Sequence, residues 1–550
     1  MKTPMKTSTI ILLSVTVLVL AGAVVVGLVG CAVMDQSQPG GMPSYMAMAP
    51  SPSAAMRDTA APGGPAAAKG EQEFNTETYD HIVDNAFASV ADRPLSTFSI
   101  DVDTASYSNM RRFLQSGQLP PPGAVRIEEM LNYFRYDYAP PSGDEPFAAH
   151  TEIAACPWNT DHRLVRIGLK GKEVRNQDRP AGNFVFLLDV SGSMDQPNKL
   201  PLVVEGMKML VEQLGENDRV AIVVYAGASG MVLPSTKCDH KETVIAALDL
   251  LRAGGSTNGG AGIELAYRTA GENFIRGGSN RVVLCTDGDF NVGVTNQSEL
   301  IRLIEAKAKS GIFLTVLGFG TGNYKDSTME KLADKGNGNY GYIDTKSEAR
   351  KVLVEQLTGT LVTIAKDVKI QVESNPAKVT AWRLIGYENR LLRKEDFNDD
   401  TKDAGEIGAG HTVTALYEVI PVGVAFNAPG VDPLRYQPAK PVAAEAAGKH
   451  SDELMLLKLR YKRPDGERSE LLSFPVMDNG GKFAGASEGF RFAAAVAAFG
   501  MILRNSPYKG DYKIGGVVEL ADGSLGKGDD VAYRKEFVEL ARQAGKLLAK

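Results

Sequence analysis

Asn183-Phe184-Val185-Phe186-Leu187-Leu188-Asp189-Val190-Ser191-Gly192-Ser193 is the stretch from which the fold of this 550-residue chain can be read. Five consecutive apolar residues, 184–188, leave no polar face. That pattern belongs to a parallel strand covered on both sides. The run then stops in a loop of carboxylate, hydroxyls and glycine. Downstream, Val203, Met207, Leu210 and Leu214 form one helical stripe. Apolar strands at 220–225, near 231–233, and at 281–285, 312–319 and 340–343 then alternate with helical stripes. These stripes are Val244/Leu248/Leu251, Leu300/Leu303/Ile304/Ala308, Met329/Leu332 and a long helix bearing Leu353, Leu357 and Leu361. Strand–helix alternation with short loops over 180–366 predicts an α/β fold: a doubly wound, mostly parallel sheet with helices on both faces.

The periodicity changes on either side. Segment 76–175 reads as an N-terminal α+β region, with a short strand at Phe98 and Ile100. One helix carries Met110, Phe113 and Leu114 and is capped by Asp103 or Thr104. A second follows Pro120-Pro121-Pro122, with Ile127, Met130, Leu131 and Phe134 at helical spacing. In 367–550 the period becomes two at Val368/Ile370/Val372, Val413/Ala415/Tyr417/Val419 and Met455/Leu457/Leu459/Tyr461. The last of these leads into the turn Pro464-Asp465-Gly466, a hairpin signal. Two helices close this antiparallel β region, one with Phe492, Val496, Phe499 and Leu503, the other with Phe537, Leu540, Ala541 and Ala544.

The first 31 residues have a different character. Lys2 and Lys6 precede an apolar run over 10–29, which ends in Leu28-Val29-Gly30-Cys31. This resembles the lipobox of bacterial lipoproteins and implies diacylglycerol on Cys31 and cleavage just before it. The alternative is an uncleaved signal anchor, since about 20 apolar residues also span a bilayer. Either reading tethers the chain to a membrane, at the cell membrane or outer membrane, facing the periplasm or cell exterior. Residues 32–75, rich in Pro, Gly, Ala and Met, lack the aromatic residues to build a core and read as a disordered tether.

Three strand or loop ends in 180–366 carry oxygen ligands: Asp189-Val190-Ser191-Gly192-Ser193, then Ser256-Thr257-Asn258, then Thr286-Asp287-Gly288. Ligands of open α/β sheets bind at the carboxyl ends of strands. Two carboxylates and three hydroxyls are hard donors, suited to an octahedral Mg²⁺ that keeps some waters and unsuited to zinc or copper. Each piece alone has an ordinary explanation as a helix cap or turn. Their order along the chain has none.

That order resembles the von Willebrand factor type A family. Its metal-ion-dependent adhesion site is an Asp-x-Ser-x-Ser loop, a Thr from a second loop and an Asp after a later strand. These positions fall on Asp189, Ser191, Ser193, Thr257 and Asp287. The resemblance implies a Rossmann-like fold and bound Mg²⁺ or Mn²⁺. The three hydroxyls contact the ion and the aspartates act directly or through water. It also implies a protein partner that supplies an acidic side chain to the metal. A wider resemblance rests on Ser96-Thr97-Phe98-Ser99-Ile100-Asp101-Val102-Asp103-Thr104, Asn132-Tyr133-Phe134 and Pro157-Trp158-Asn159. It is to a bacterial lipoprotein family with a von Willebrand-associated N-terminal region and a C-terminal domain of unknown function.

Sixty basic and 66 acidic residues give a net charge of −6 with no clustered basic surface, which argues against nucleic acid as a partner. No small-molecule cofactor motif occurs. Asp101-Val102-Asp103-Thr104 faintly resembles a phosphatase aspartate pair, but Ala105 stands where that motif needs Thr or Val, and no βαβ unit follows. No His-Glu-x-x-His or Gly-Lys-Ser/Thr phosphate loop is present. The expectation is a binding protein with no enzymatic activity. The alternatives are a structural envelope protein with a stabilising metal and, less favoured, a metal-dependent hydrolase with Asp289 as the candidate base. Of the other cysteines, Cys285 reads as a buried thiol, and a Cys156–Cys238 disulfide stays open.

Overall fold

A computed structural model describes residues 77–550, apart from 257–258, 289–296, 323, 357–358, 360, 403, 427–451 and 529. Cys31, the segment before it, the tether, Thr257 and Asp289 lie outside the described residues. The N-terminal part contributes β1 (Ala88–Ser89), β2 (Leu95–Ser99), α1 (Ala105–Gln115), α2 (Ile127–Asn132), β3 (Phe147–Cys156) and β4 (Asn159–Gly171). The middle begins with β5 (Gly182–Asp189), α3 (Leu200–Gln213), β6 (Arg219–Tyr225), β7 (Ser229–Lys237), α4 (Lys241–Asp249) and α5 (Gly259–Glu272). It continues through β8 (Ser279–Thr286), α6 (Gln297–Lys309), β9 (Ile312–Phe319), α7 (Asp326–Lys335), β10 (Tyr340–Ile343) and α8 (Lys346–Arg350). The last part holds β11 (Thr363–Ser374), β12 (Val379–Ile385), β13 (Ile407–Gly408), β14 (Thr412–Pro421), β15 (Glu453–Lys462) and β16 (Ser469–Met477). Three helices end it: α9 (Glu488–Leu503), α10 (Ile514–Asp522) and α11 (Val531–Leu548).

The middle part is the expected α/β sheet, in the order β10-β9-β8-β5-β6-β7. All neighbours are parallel except β6 and β7. The apolar run on β5 feeds both faces. Phe184, Phe186 and Leu188 pack with the residues of α3 and α4. Val185 and Leu187 pack with those of α5, α6 and α7. From Phe184 to Leu188 every side chain enters one core or the other, and the next polar side chain is that of Asp189, the last residue of the strand. Truncating Leu187 to Ala removes contacts on a fully buried face and costs about 2–5 kcal/mol.

Two expectations change here. The short strand near 231–233 is the nine-residue β7, whose mixed exposure suits an edge strand. The long helix bearing Leu353, Leu357 and Leu361 is interrupted: the short α8 runs into a π-helical turn, Lys351–Glu355, Gly359 and Leu361 are again helical, and Leu357 lies outside the described residues. The wider turn leaves Leu353 in the core, while the Lys351 ammonium lies 3.5 Å and 3.8 Å from the ring centroids of Tyr133 and Tyr533.

The flanking segments, separate in sequence, meet in space. One sheet runs β1-β12-β14-β4-β3, and another runs β13-β11-β15-β16 with β2 paired to β11. Each therefore mixes strands from before and after the α/β unit. The two sheets enclose one core, to which Val165, Ile167 and Leu169 of β4 and the period-two residues of β11, β14 and β15 all contribute. The opposite face of the first sheet, through Leu164 and Leu416, is covered by α1, α2, α9, α10 and α11. Helix α9 is apolar nearly all round because it is buried on nearly all sides, and Ser487 starts it by accepting a bond from Phe490 N at 3.2 Å. No helix among the described residues is long and apolar enough to cross a membrane. Cys156, Cys238 and Cys285 are all buried free thiols, so 156 and 238 are not bridged here.

The α/β unit is joined to this body by buried ion pairs. Arg111 of α1 donates from Nε to Asp344 at 2.9 Å and from Nη2 to Glu348 at 2.8 Å. Arg126 pairs with Asp326 and Glu129. Arg390 reaches Asp103 at 3.0 Å, Asp334 at 2.9 Å and Glu330 at 3.2 Å. The expected capping of α1 by Asp103 is not what forms. Thr104 is the N-cap without a side-chain bond, and Asp103 instead accepts from Tyr340 N at 2.7 Å while pairing with Arg390. A buried carboxylate is stabilised more by a guanidinium and a strand amide than by a helix end.

Candidate metal centre

Asp189 is the last residue of β5 and fully buried. The loop after it is held by backbone bonds to its neighbours. Val190 N donates to Tyr225 O at 3.0 Å, Gly254 N to Val190 O at 2.8 Å, and Gly192 N to Gly255 O at 2.9 Å. Gly255 adopts φ +86°, a conformation that side chains disfavour, and this turn presents its carbonyl to Gly192. The Asp-x-Ser-x-Ser loop and the described start of the second loop are thus fastened together.

Around Asp189 the hydroxyls converge. Ser191 donates from N at 2.9 Å and from Oγ at 2.6 Å to Asp189 Oδ1. Ser191 Oγ lies 3.2 Å from Ser193 Oγ. Thr286 Oγ1, at the end of β8, donates to Asp189 Oδ2 at 3.4 Å, and the Tyr225 hydroxyl sits against both Asp189 and Thr286. Asp287 follows Thr286 and is also buried; Lys199 Nζ donates to its Oδ2 at 3.0 Å. Burial pushes the Asp189 carboxyl up to about 6. The bonds from Ser191 pull it down, and the neighbouring Asp287 charge pushes it up again.

Four of the five sequence-predicted ligands, Asp189, Ser191, Ser193 and Asp287, therefore sit at adjacent strand ends. Thr257 and the lipidation candidate Cys31 lie outside the described residues. The carboxylates are buried while Gly192 and Ser193 are exposed, so the charge lies just below an accessible rim. Sequence reasoning did not single out Lys199, Tyr225 or Thr286. Lys199 stands 88 residues from Asp287 and carries no local signal beyond preceding a helix that opens Leu200-Pro201.

The donor set fits a hard divalent cation. Every donor is oxygen, and two nearby buried carboxylates with one partly neutralised are a pair that a cation relieves. Asp189, Ser191, Ser193 and Asp287 are the described residues that would hold it, and the ion would supply Lewis acidity toward an anionic ligand. One other carboxylate group, Asp103, Glu129 and Glu330, is tight enough to hold an ion among the described residues. Arg126 and Arg390 already occupy it, so it is an ion-pair network.

Three families match the chain. Residues 183–357 match the von Willebrand factor type A domain, residues 73–166 the family described as von Willebrand factor, and residues 359–547 that described as uncharacterized protein YfbK, C-terminal. Fold and site together define a von Willebrand factor type A protein. Domains of this class commonly bind metal at the adhesion site and mediate protein interactions. The chain belongs to the YfbK family. It is 46% identical to uncharacterized protein YfbK of Escherichia coli over 476 residues, 85% of this chain and 81% of that one. Uncharacterized protein sll0103 of Synechocystis is 27% identical over 194 residues, 34% of this chain and 44% of that one. Among solved structures, the von Willebrand factor type A protein from Catenulispora acidiphila aligns over 72% of this chain and 89% of its own, at 16% identity and a TM-score of 0.39.

Proposed function

We propose that this chain is a lipid-anchored cell-envelope protein that holds Mg²⁺ or Mn²⁺ at Asp189, Ser191, Ser193, Thr257 and Asp287, and through the ion binds an acidic side chain of a protein partner. The observation that carries the reading is the site itself: two buried carboxylates and a row of hydroxyls beneath an exposed rim. An ion held largely by hydroxyls and water keeps much of its positive charge and favours a carboxylate as its remaining ligand. The Leu28–Cys31 sequence supports the membrane side of the reading: lipid on Cys31 would hold the chain at the cell membrane or outer membrane, facing the periplasm or exterior.

The Lys199–Asp287 ion pair speaks against a purely structural metal, because it supplies part of the charge balance from within the chain. We propose further that the protein is not an enzyme. The test is crosslinking in cells followed by mass spectrometry, in wild type and Asp189→Ala, with and without EDTA. Recovery of the partner should fall alike in the variant and in EDTA. A partner retained at wild-type levels by Asp189→Ala in Mg²⁺ sinks the reading. So does Asp189-dependent turnover of a phosphoester or peptide.

A further inference from the structure

We propose that Lys199 sets the charge of the metal centre, making ion binding weak alone and strong when an anionic ligand binds with it. This rests on the metal reading above and deepens it, because it makes the partner's carboxylate part of the site's charge balance.

Three observations converge. The Lys199 ammonium donates to Asp287 Oδ2 at 3.0 Å, with side-chain exposures of 5% and 1% for the two partners. One carboxylate oxygen of a metal ligand is therefore committed to an internal cation. The lysine cannot easily leave. Its stem runs across Gly320, where a Cβ would lie 2.4–2.9 Å from Lys199 Cε, Cγ and Cδ, and Gly320 has φ +75°. The glycine both permits the turn and opens the channel that the lysine fills. Moving the ammonium elsewhere would strand it in a buried setting without its carboxylate. Finally, the loop end is anchored from both sides: Lys199 N donates to Gln196 O at 2.9 Å and its carbonyl accepts from Val203 N at 2.9 Å at the start of α3.

The charge count follows. Asp189, Asp287 and Lys199 are the charged side chains shown meeting at these strand ends, and together they carry one net negative charge. A divalent ion leaves the centre with one net positive charge, which a single carboxylate neutralises. Without Lys199 the ion and the two aspartates are already neutral, so the ion should bind more tightly and the carboxylate should matter less. A unit charge several ångströms from the ion, partly screened, is worth about tenfold in affinity.

The experiment measures Mn²⁺ binding to the full chain in detergent at neutral pH, from the electron paramagnetic resonance signal of free Mn²⁺, with and without acetate as the carboxylate probe. Wild type should bind Mn²⁺ weakly, and acetate should tighten it several-fold. Lys199→Met and Lys199→Gln should bind Mn²⁺ alone about tenfold more tightly and lose most of the acetate effect. Lys199→Arg, which keeps the charge, should behave as wild type. Melting in EDTA checks the fold: Lys199→Met should melt below wild type and recover more on adding Mn²⁺.

If Mn²⁺ affinity in both neutral variants equals that of wild type, the inference is overturned while the metal reading stands, provided Asp189→Asn still abolishes binding. If Lys199→Met tightens Mn²⁺ but Lys199→Gln does not, a hydrogen bond rather than charge is the cause, and the inference is again overturned. If no protein in the series binds Mn²⁺, the metal reading falls and this inference with it.

Discussion

Replacing Asp189 with Asn tests the electrostatics of the centre most directly. The side chain keeps its shape and an oxygen that can accept from Ser191 N and Oγ, which stand 2.9 Å and 2.6 Å from Asp189 Oδ1 in the native chain. What disappears is a buried charge whose carboxyl stands at about 6 rather than 3.8, because of burial first and Asp287 in addition. A carboxyl raised in the folded state binds its proton more tightly there than in the unfolded chain. Ionising it therefore costs stability, and the loss accumulates as pH rises from about 4 to about 6. The rise corresponds to roughly 3 kcal/mol at most, fully present at neutral pH. In EDTA at pH 7.5, Asp189→Asn should be more stable than wild type by about 1–3 kcal/mol, and the difference should vanish near pH 4. Adding Mg²⁺ narrows the gap. With a dissociation constant near ~0.1 mM, about 1 mM Mg²⁺ stabilises wild type by ~1.4 kcal/mol and leaves the variant unmoved. Urea unfolding at the two pH values, in EDTA and in Mg²⁺, measures all four quantities. A variant clearly less stable than wild type in EDTA at neutral pH would refute the reasoning, since Asp189 would then be stabilised in the folded apo state.

Three further outcomes follow from the same structure. Arg111→Met leaves Asp344 and Glu348 buried without their guanidinium and should cost about 3–5 kcal/mol, read by urea unfolding, with faster proteolysis where the α/β unit meets α1. Ser487→Ala removes the N-cap bond to Phe490 N and should cost about 1 kcal/mol, a modest fall in melting temperature without loss of fold. On the proposed lipidation, Cys31→Ala should end labelled fatty-acid incorporation and leave the precursor uncut; continued labelling rules the lipid anchor out.

Local pattern in this sequence determined a good deal. The apolar run 184–188 announces a strand buried on both faces, and the structure gives its alternate residues to two cores. The period-two runs in 367–550 are strands, and Pro464-Asp465-Gly466 joins β15 to β16. The order Asp189, Ser191, Ser193, Asp287 was legible because each residue ends a strand or lies in the loop after one, and parallel strands put those ends on one side. Tertiary structure decided what joins to what. Nothing local in β4 says that it pairs with β14, Val165 opposite Tyr417, or that β2 pairs with β11 on the far side of an entire α/β unit. Periodicity reports which face of a strand is buried and is silent on the partner. The partner is chosen by register and by which apolar faces close on each other. The same holds at the metal centre. Its carboxylates are readable as turn residues, but Lys199 becomes part of it only because Gly320 opens a path across the fold to Asp287. A buried charge is stabilised by whatever opposite charge three-dimensional packing brings within reach, and sequence separation does not enter that energy.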